Sequence, residues 1–549
     1  MPTTSTQSLH GGVHLHLHGP ASGNGPALED GPKLTSYRLF SRESDFSATE
    51  LADLLRSAED PSGWVSSLLG EANRCRGEHR SRDELQSLIL PRMMHALGSA
   101  VLQVAGADDT PLADVLPGLQ RMLAPDVSAW FETLGLLPGE DVSVGSWAGR
   151  ARSVAFDYLK SAIVFSGAQR LPGPAARLRS DEIIWGRAPA RLDLCGGWTD
   201  TPPYALEFGG CVLNAAVDLN GQPPIQAFAR VIEQPVVRIA SIDRGTRIEI
   251  SRLEQLLDYR EVASEFSLAK AALAMSSLAP ETIADPRGTT LRQVLDMFGG
   301  GVELTTLATI PKGSGLGTSS IMGAVVLAVL DRVQGRSPLP KELFHRVLQL
   351  EQTLTTGGGW QDQVGGVMDG VKLVTSPPGI VPNTVVEFVP GNVLEPAENG
   401  GQTLLYYTGI TRLAKNILSR VVGRYLDRDP LATSTLAELR LLAPRAASAM
   451  SRRDFGEFGR FVDAAWQLNK RLDPDSSNRA IEAILARLRP NIIGAKLLGA
   501  GGGGFLLLVC RSPEAAGQVR TDLEKNPPNS RARFFQFNIS REGLRVTAC

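Results

Sequence analysis

Between Val302 and Leu330 the chain changes character twice. Val302–Leu307 alternates apolar and polar positions, as a half-buried strand does. Pro311-Lys312-Gly313-Ser314-Gly315-Leu316-Gly317-Thr318-Ser319-Ser320 follows, and then Ile321–Leu330, which is almost wholly apolar. A helix that is apolar all round has to be covered all round. With the strands and helices mixed over the rest of 182–549, this order reads as an α+β arrangement in two lobes, and 43% hydrophobic residues are enough for more than one core.

Three glycines before a helix start give the backbone freedom to turn successive N–H groups toward one point, where the helix dipole adds its positive end. Such a place attracts anions. It is not a P-loop, because no Gly-Lys-Ser/Thr follows at the required spacing, and Thr318 stands where G-x-G-x-x-G needs its third glycine. The hydroxyls of Thr318, Ser319 and Ser320 suit a phosphate or a magnesium ion. They suit an ordinary helix cap equally well.

The rest of the chain organises around this unit. Residues 1–35 are rich in Gly, Pro, Ser and Thr and read as a flexible tail. Residues 36–175 read as mainly helical, with a capping box at Ser47 and Glu50 and helical patterns at 84–104, broken or kinked at Pro91, and at 149–168. Leu171-Pro172-Gly173-Pro174 breaks the pattern and places a boundary between 171 and 182. Short Val- and Ile-rich runs at 183–194, 211–219, 225–231 and 236–242 then read as strands. Residues 182–375 and 376–549 are expected to form two lobes.

Composition removes whole classes of function. Lys and Arg total 56 against 58 Asp and Glu, so the basic excess of a nucleic-acid binder is missing. No apolar stretch approaches the ~20 residues that span a bilayer, and the first thirty residues carry no secretory pattern. Five widely spaced cysteines form no local disulfide or zinc pattern, and a reducing cytoplasm is expected. Of seven histidines only His345 lies beyond residue 95. Acid–base work there falls to carboxylates or lysine.

Two carboxylates stand out. Glu351 falls on the apolar stripe of Leu343, Phe344, Val347, Leu348 and Leu354, where a charge is costly unless a cation meets it. Arg346 or a bound Mg²⁺ would each serve. Asp362 lies between the glycine clusters Gly357–Gly359 and Gly365–Gly366, as a ligand-facing acid or a turn residue would.

Three segments together resemble the motifs of the GHMP small-molecule kinases. These are Ala188–Asp200 with its Gly196-Gly197-Trp198-Thr199-Asp200 core, the loop Pro311–Ser320, and Lys496–Phe505 with Gly501–Gly504. Their order and spacing agree over about 182–549. Within that family, Gly196–Pro203, Gly209–Asn214 and Leu219–Pro224 are similar to L-fucokinases. Galactokinases have a Glu-His pair where Gly197-Trp198 stands, and seven-carbon sugar phosphate kinases typically have Gly in place of Trp198.

The resemblance implies the two-lobed GHMP kinase fold and ATP-dependent phosphorylation of the anomeric hydroxyl of L-fucose. A heptose 7-phosphate kinase and a non-catalytic sugar and ATP sensor are the alternatives. It implies Asp362 as catalytic carboxylate with Arg191 beside it, and a nucleotide cradle of Gly313, Ser314, Gly315, Leu316, Gly317, Thr318 and Ser319. Ser319 and Glu351 match the Mg²⁺ ligands, and Asp200, Trp198 and Arg412 the sugar contacts. Its partners would be a small sugar and ATP, with neither nucleic acid nor membrane.

Overall fold

The computed structural model describes residues 37–78, 88–139, 141–166, 173–179, 181–260, 264, 266–279, 289–311, 313–354, 358–410 and 414–549. The expected tail at 1–35 and Arg412 lie outside these residues.

The described residues begin with helices. Ala48–Ser57 starts at the expected capping box, where Ser47 Oγ accepts from Glu50 N at 3.2 Å and Glu50 Oε2 accepts from Ser47 N at 2.7 Å. Ile89–Ala105 runs without a break at Pro91, contrary to the kink expected from sequence. Pro91 sits in the first turn, where its missing N–H has no intrahelical partner to lose. Val144–Phe165 is longer than the 149–168 pattern at its start, because Ser143 caps it by accepting from Ser146 N.

Three sheets follow. The six-stranded sheet runs β15 (Arg545–Ala548), β1 (Ile184–Ala188), β4 (Ile225–Ile232), β7 (Gly301–Ala308), β5 (Val237–Ser241) and β6 (Thr246–Ile250). Only β5 and β7 pair in parallel within it. The second sheet orders β14 (Phe537–Ile539), β3 (Gly210–Leu219), β8 (Val371–Ser376) and β9 (Val385–Val389), with β2 (Ala190–Cys195) also paired to β3. The third, β11 (Ile492–Leu497), β12 (Phe505–Cys510), β10 (Thr403–Tyr407) and β13 (Arg533–Phe535), is antiparallel throughout.

The apolar run at 321–330 is the buried helix Thr318–Val333, whose side chains from Ser320 to Asp331 are all buried. It packs on β1 and β4 on one side and on the helix Pro340–Leu354 on the other. Pro189 separates β1 from β2, so what reads as one strand over 183–194 serves two sheets. That division carries Arg191 away from the six-stranded sheet and toward the glycine loop.

Candidate active site

The site is built where three loops meet. Arg191 on β2 is 3% exposed and its amide donates to Leu316 O at 3.2 Å. Its guanidinium donates to Asp362 Oδ1 at 2.7 Å and to Gly315 O at 2.8 Å. One side chain thus holds the expected catalytic carboxylate and the glycine loop in a single geometry. Burial opposes the Arg191 charge, but Asp362, Asp193 and Asp200 outweigh it and hold the guanidinium above its ordinary pKa.

Glycine is required at two points of the loop. A Cβ on Gly317 (φ 74°) would lie 3.1 Å from Arg191 Cγ and 3.2 Å from Asp362 Cγ. A Cβ on Gly315 (φ 77°) would strike Leu498 O. The third motif therefore packs straight onto the second. Phe505 N donates to Ser314 O at 2.9 Å, which locks the two loops together. Thr318 opens the buried helix, and its hydroxyl lies 3.3 Å from Ser314 Oγ. Gly317, which caps that helix, is the loop residue seated against the Arg191–Asp362 pair.

Ser319 Oγ donates to Glu351 Oε1 at 3.0 Å. Burial pushes the Glu351 carboxyl up to about 6; the Ser319 hydrogen bond opposes that rise and Asp362 adds to it. Of the two partners the sequence leaves open for Glu351, Arg346 is engaged elsewhere, with Asp331. Two hard oxygen donors in contact beside the start of the helix Thr318–Val333 fit Mg²⁺, which takes few protein ligands and completes its shell with phosphates and water.

Asp200 is buried within reach of the same carboxylates. Its Oδ2 accepts from Gln361 N and its Oδ1 from Gln361 Nε2, both at 3.1 Å. Burial, then the neighbouring Asp362 charge, push its pKa up to about 7. Gly359 gives it room, since a Cβ there would overlap Asp200 Oδ2. Trp198 (φ 81°, 6% exposed) is packed among Tyr204, Ile417, Val421, Tyr425, Leu436 and Leu439. Its indole is mostly core.

Sequence reasoning missed three participants. Gln361, the residue before Asp362, holds the Asp200 carboxylate with two hydrogen bonds, and Asn214 Nδ2 donates to Gln361 O at 3.4 Å. Lys496 Nζ donates to Asp193 Oδ2 at 2.7 Å and to Asp193 O at 2.9 Å, joining the third motif to the first. Gln361 and Lys496 lie inside or beside the motifs, but no local pattern names their partners.

Residues 287–370 match the GHMP kinases N terminal domain and residues 446–529 the GHMP kinases C terminal domain. The chain thus carries both GHMP kinase domains. It is 42% identical over 393 residues to an L-fucokinase/L-fucose-1-P guanylyltransferase of Bacteroides fragilis, covering 72% of the chain and 41% of the relative. It is 36% identical over 338 residues to a bifunctional fucokinase/GDP-fucose pyrophosphorylase of Arabidopsis thaliana, covering 62% of the chain and 31% of the relative. A D-glycero-alpha-D-manno-heptose 7-phosphate kinase of Campylobacter jejuni is 26% identical over 348 residues, covering 59% of the chain and 88% of that relative. The chain spans less than half the length of the two fucokinase relatives. Among the described residues no helix is long and apolar enough to cross a membrane.

Proposed function

We propose that this GHMP kinase transfers the γ-phosphoryl group of ATP to the anomeric hydroxyl of L-fucose, giving L-fucose 1-phosphate and ADP. The supporting observation is the Arg191–Asp362 pair seated against the glycine loop, with buried Asp200 fixed beside it, in a chain 42% identical to a fucokinase. Asp362 accepts the proton of the attacking hydroxyl as the oxygen–phosphorus bond forms and the bond to the β-phosphate oxygen breaks. Arg191 holds Asp362 in place through its 2.7 Å hydrogen bond and stabilises the charge that develops. Asp200 accepts from a ring hydroxyl, and Trp198 backs the sugar segment from the apolar side.

Residues Gly313–Ser319 would cradle the nucleotide phosphates. Ser319 and Glu351 would hold Mg²⁺, which supplies charge neutralisation on the phosphates when bound. Free thiols at Cys195, Cys211, Cys510 and Cys549 suit the reducing cytoplasm we propose as its compartment.

ADP release across L-fucose, D-galactose, D-arabinose and a heptose 7-phosphate tests the reading. L-Fucose is expected to give the highest kcat/KM. A pocket that meets a methyl group rejects a hydroxyl by only about 1–3 kcal/mol, so D-arabinose, which shares the ring stereochemistry, is expected to react as well. A heptose 7-phosphate that outruns fucose would replace the assignment, and no ADP release with any sugar would make the protein a sensor.

Magnesium and proton dependence follow from the same geometry. Glu351→Gln and Ser319→Ala are each expected to raise the Mg²⁺ concentration for half-maximal rate. Their effects should be non-additive in the double variant, because the two oxygens share one ion. Unchanged magnesium dependence in both variants would return Glu351 to a structural role.

Asp200, with its pKa near 7, is protonated below that value and loses the carboxylate that accepts the sugar hydroxyl. The KM for fucose is therefore expected to rise as pH falls through 7, and to lose this dependence in Asp200→Asn. The sign for stability is opposite. A carboxyl raised above its unfolded value binds its proton more tightly when folded, so stability declines as pH climbs from about 4 to 7. Asp200→Asn is expected to melt higher than the parent at pH 8.

A further inference from the structure

The sugar segment Gly196–Pro203 runs without a break into the helix Tyr204–Phe208, and Glu207 in that helix is 4% exposed. Its carboxylate accepts from Arg428 Nη2 at 2.7 Å and from the Tyr425 hydroxyl. Arg428 lies just past the helix Ala414–Leu426, in the left-handed region at φ 51°, with its guanidinium over the Tyr425 ring. The same helix packs Ile417, Val421 and Tyr425 against Trp198 and Tyr204. The sugar segment is thus clamped on its far side by one helix end.

That helix end is in turn held by the N-terminal helices. Asp427 Oδ2 accepts from Ser99 Oγ at 2.9 Å, its Oδ1 lies 2.8 Å from His95 Nδ1, and its carbonyl accepts from Ala48 N at 2.9 Å. Arg428 Nε donates to Ser44 O at 3.4 Å. Arg92, also buried, fastens the turn that carries Ser44 by donating to Phe46 O at 2.6 Å and to Ser41 O. Leu88, Leu159 and Ile163 complete the contact against Leu206, Val422 and Leu426.

A buried pair such as Glu207–Arg428 adds little net stability over apolar residues of the same volume, yet it fixes direction, because each charge must find its partner. We propose that Glu207, Arg428 and Asp427, braced by His95 and Ser99 of the N-terminal helices, are positioning residues for the sugar segment. They hold Asp200 in place and thereby set the affinity for the sugar, while among the described residues none of their hydrogen bonds reaches the glycine loop. This gives the N-terminal helical region a task in the kinase itself. It rests on the reading that Gly196–Pro203 receives the sugar.

The experiment compares the full chain with Glu207→Gln, Arg428→Lys, Asp427→Asn and His95→Gln. Each is expected to raise the KM for L-fucose by about 5- to 30-fold, the range of a 1–2 kcal/mol coupling, with the KM for ATP within about twofold. Arg428→Lys keeps the charge but loses the planar fork, so its effect should be the smaller of the two at the ion pair. Amide hydrogen exchange should quicken in 196–208 and stay unchanged in 313–320. The conservative His95→Gln and Asp427→Asn changes, both remote from the segment, keep the test open if the ion-pair variants do not fold. Unchanged fucose KM and exchange would overturn the proposal, as would a rise in both substrate KM values or exchange quickened throughout the chain. If the parent protein does not phosphorylate fucose, the sugar assignment fails by itself, and the exchange measurement, which needs no substrate, still decides the brace.

Discussion

Asp362→Asn is expected to lower kcat by roughly two to four orders of magnitude while leaving ATP affinity unchanged. The side chain keeps its shape, and Asn Oδ1 still accepts from Arg191 Nε, where the carboxylate now sits at 2.7 Å. Arg191 also keeps its bond to Gly315 O, so the glycine loop stays in place for the nucleotide. What disappears is the charge that takes the hydroxyl proton. ADP release at saturating fucose, with nucleotide binding by titration calorimetry, separates the two effects. Full turnover in the variant would remove Asp362 from the proton-accepting role, and lost ATP binding would make it part of the nucleotide cradle.

Lys496→Met is expected to cost about 3–5 kcal/mol of stability, because it strands a charge rather than removing a surface contact. Both side chains of the Lys496–Asp193 pair are at most 2% exposed. With Lys496 gone, the Asp193 carboxylate has no cation on that oxygen and no water to replace it. The double change Lys496→Met with Asp193→Leu should recover most of the loss, since neither charge is then buried. Urea unfolding of the three proteins measures this. A single variant within about 1 kcal/mol of the parent would show that the pair joins the first and third motifs without holding them.

Much of the architecture is legible in the sequence. The strand, glycine loop and apolar helix from Val302 onward, the cap at Ser47 and the strand runs after 182 each depend on neighbours a few positions away. Periodicity and cap chemistry report such local conditions directly. The misreading at Pro91 has the same root. A proline breaks a helix only in the interior, and where the helix starts was not local information.

The residue types of the candidate site were likewise in the sequence, because an acid between glycine clusters and hydroxyls at a helix start announce their chemistry. Their partners were not. Arg191 meets Asp362 across 171 positions, and Lys496 meets Asp193 across 303. Glu351 had two candidate partners until Arg346 was seen to be engaged with Asp331. The resemblance places Trp198 among the sugar contacts without fixing the direction of its indole, which packs among residues of three helices from later in the chain. By itself the sequence determined which groups this chain carries and how the backbone beside each one turns. Only the tertiary structure decided which buried charge faces which, because that choice is made by the fold that removes water from both partners at once, and no spacing along the chain encodes it.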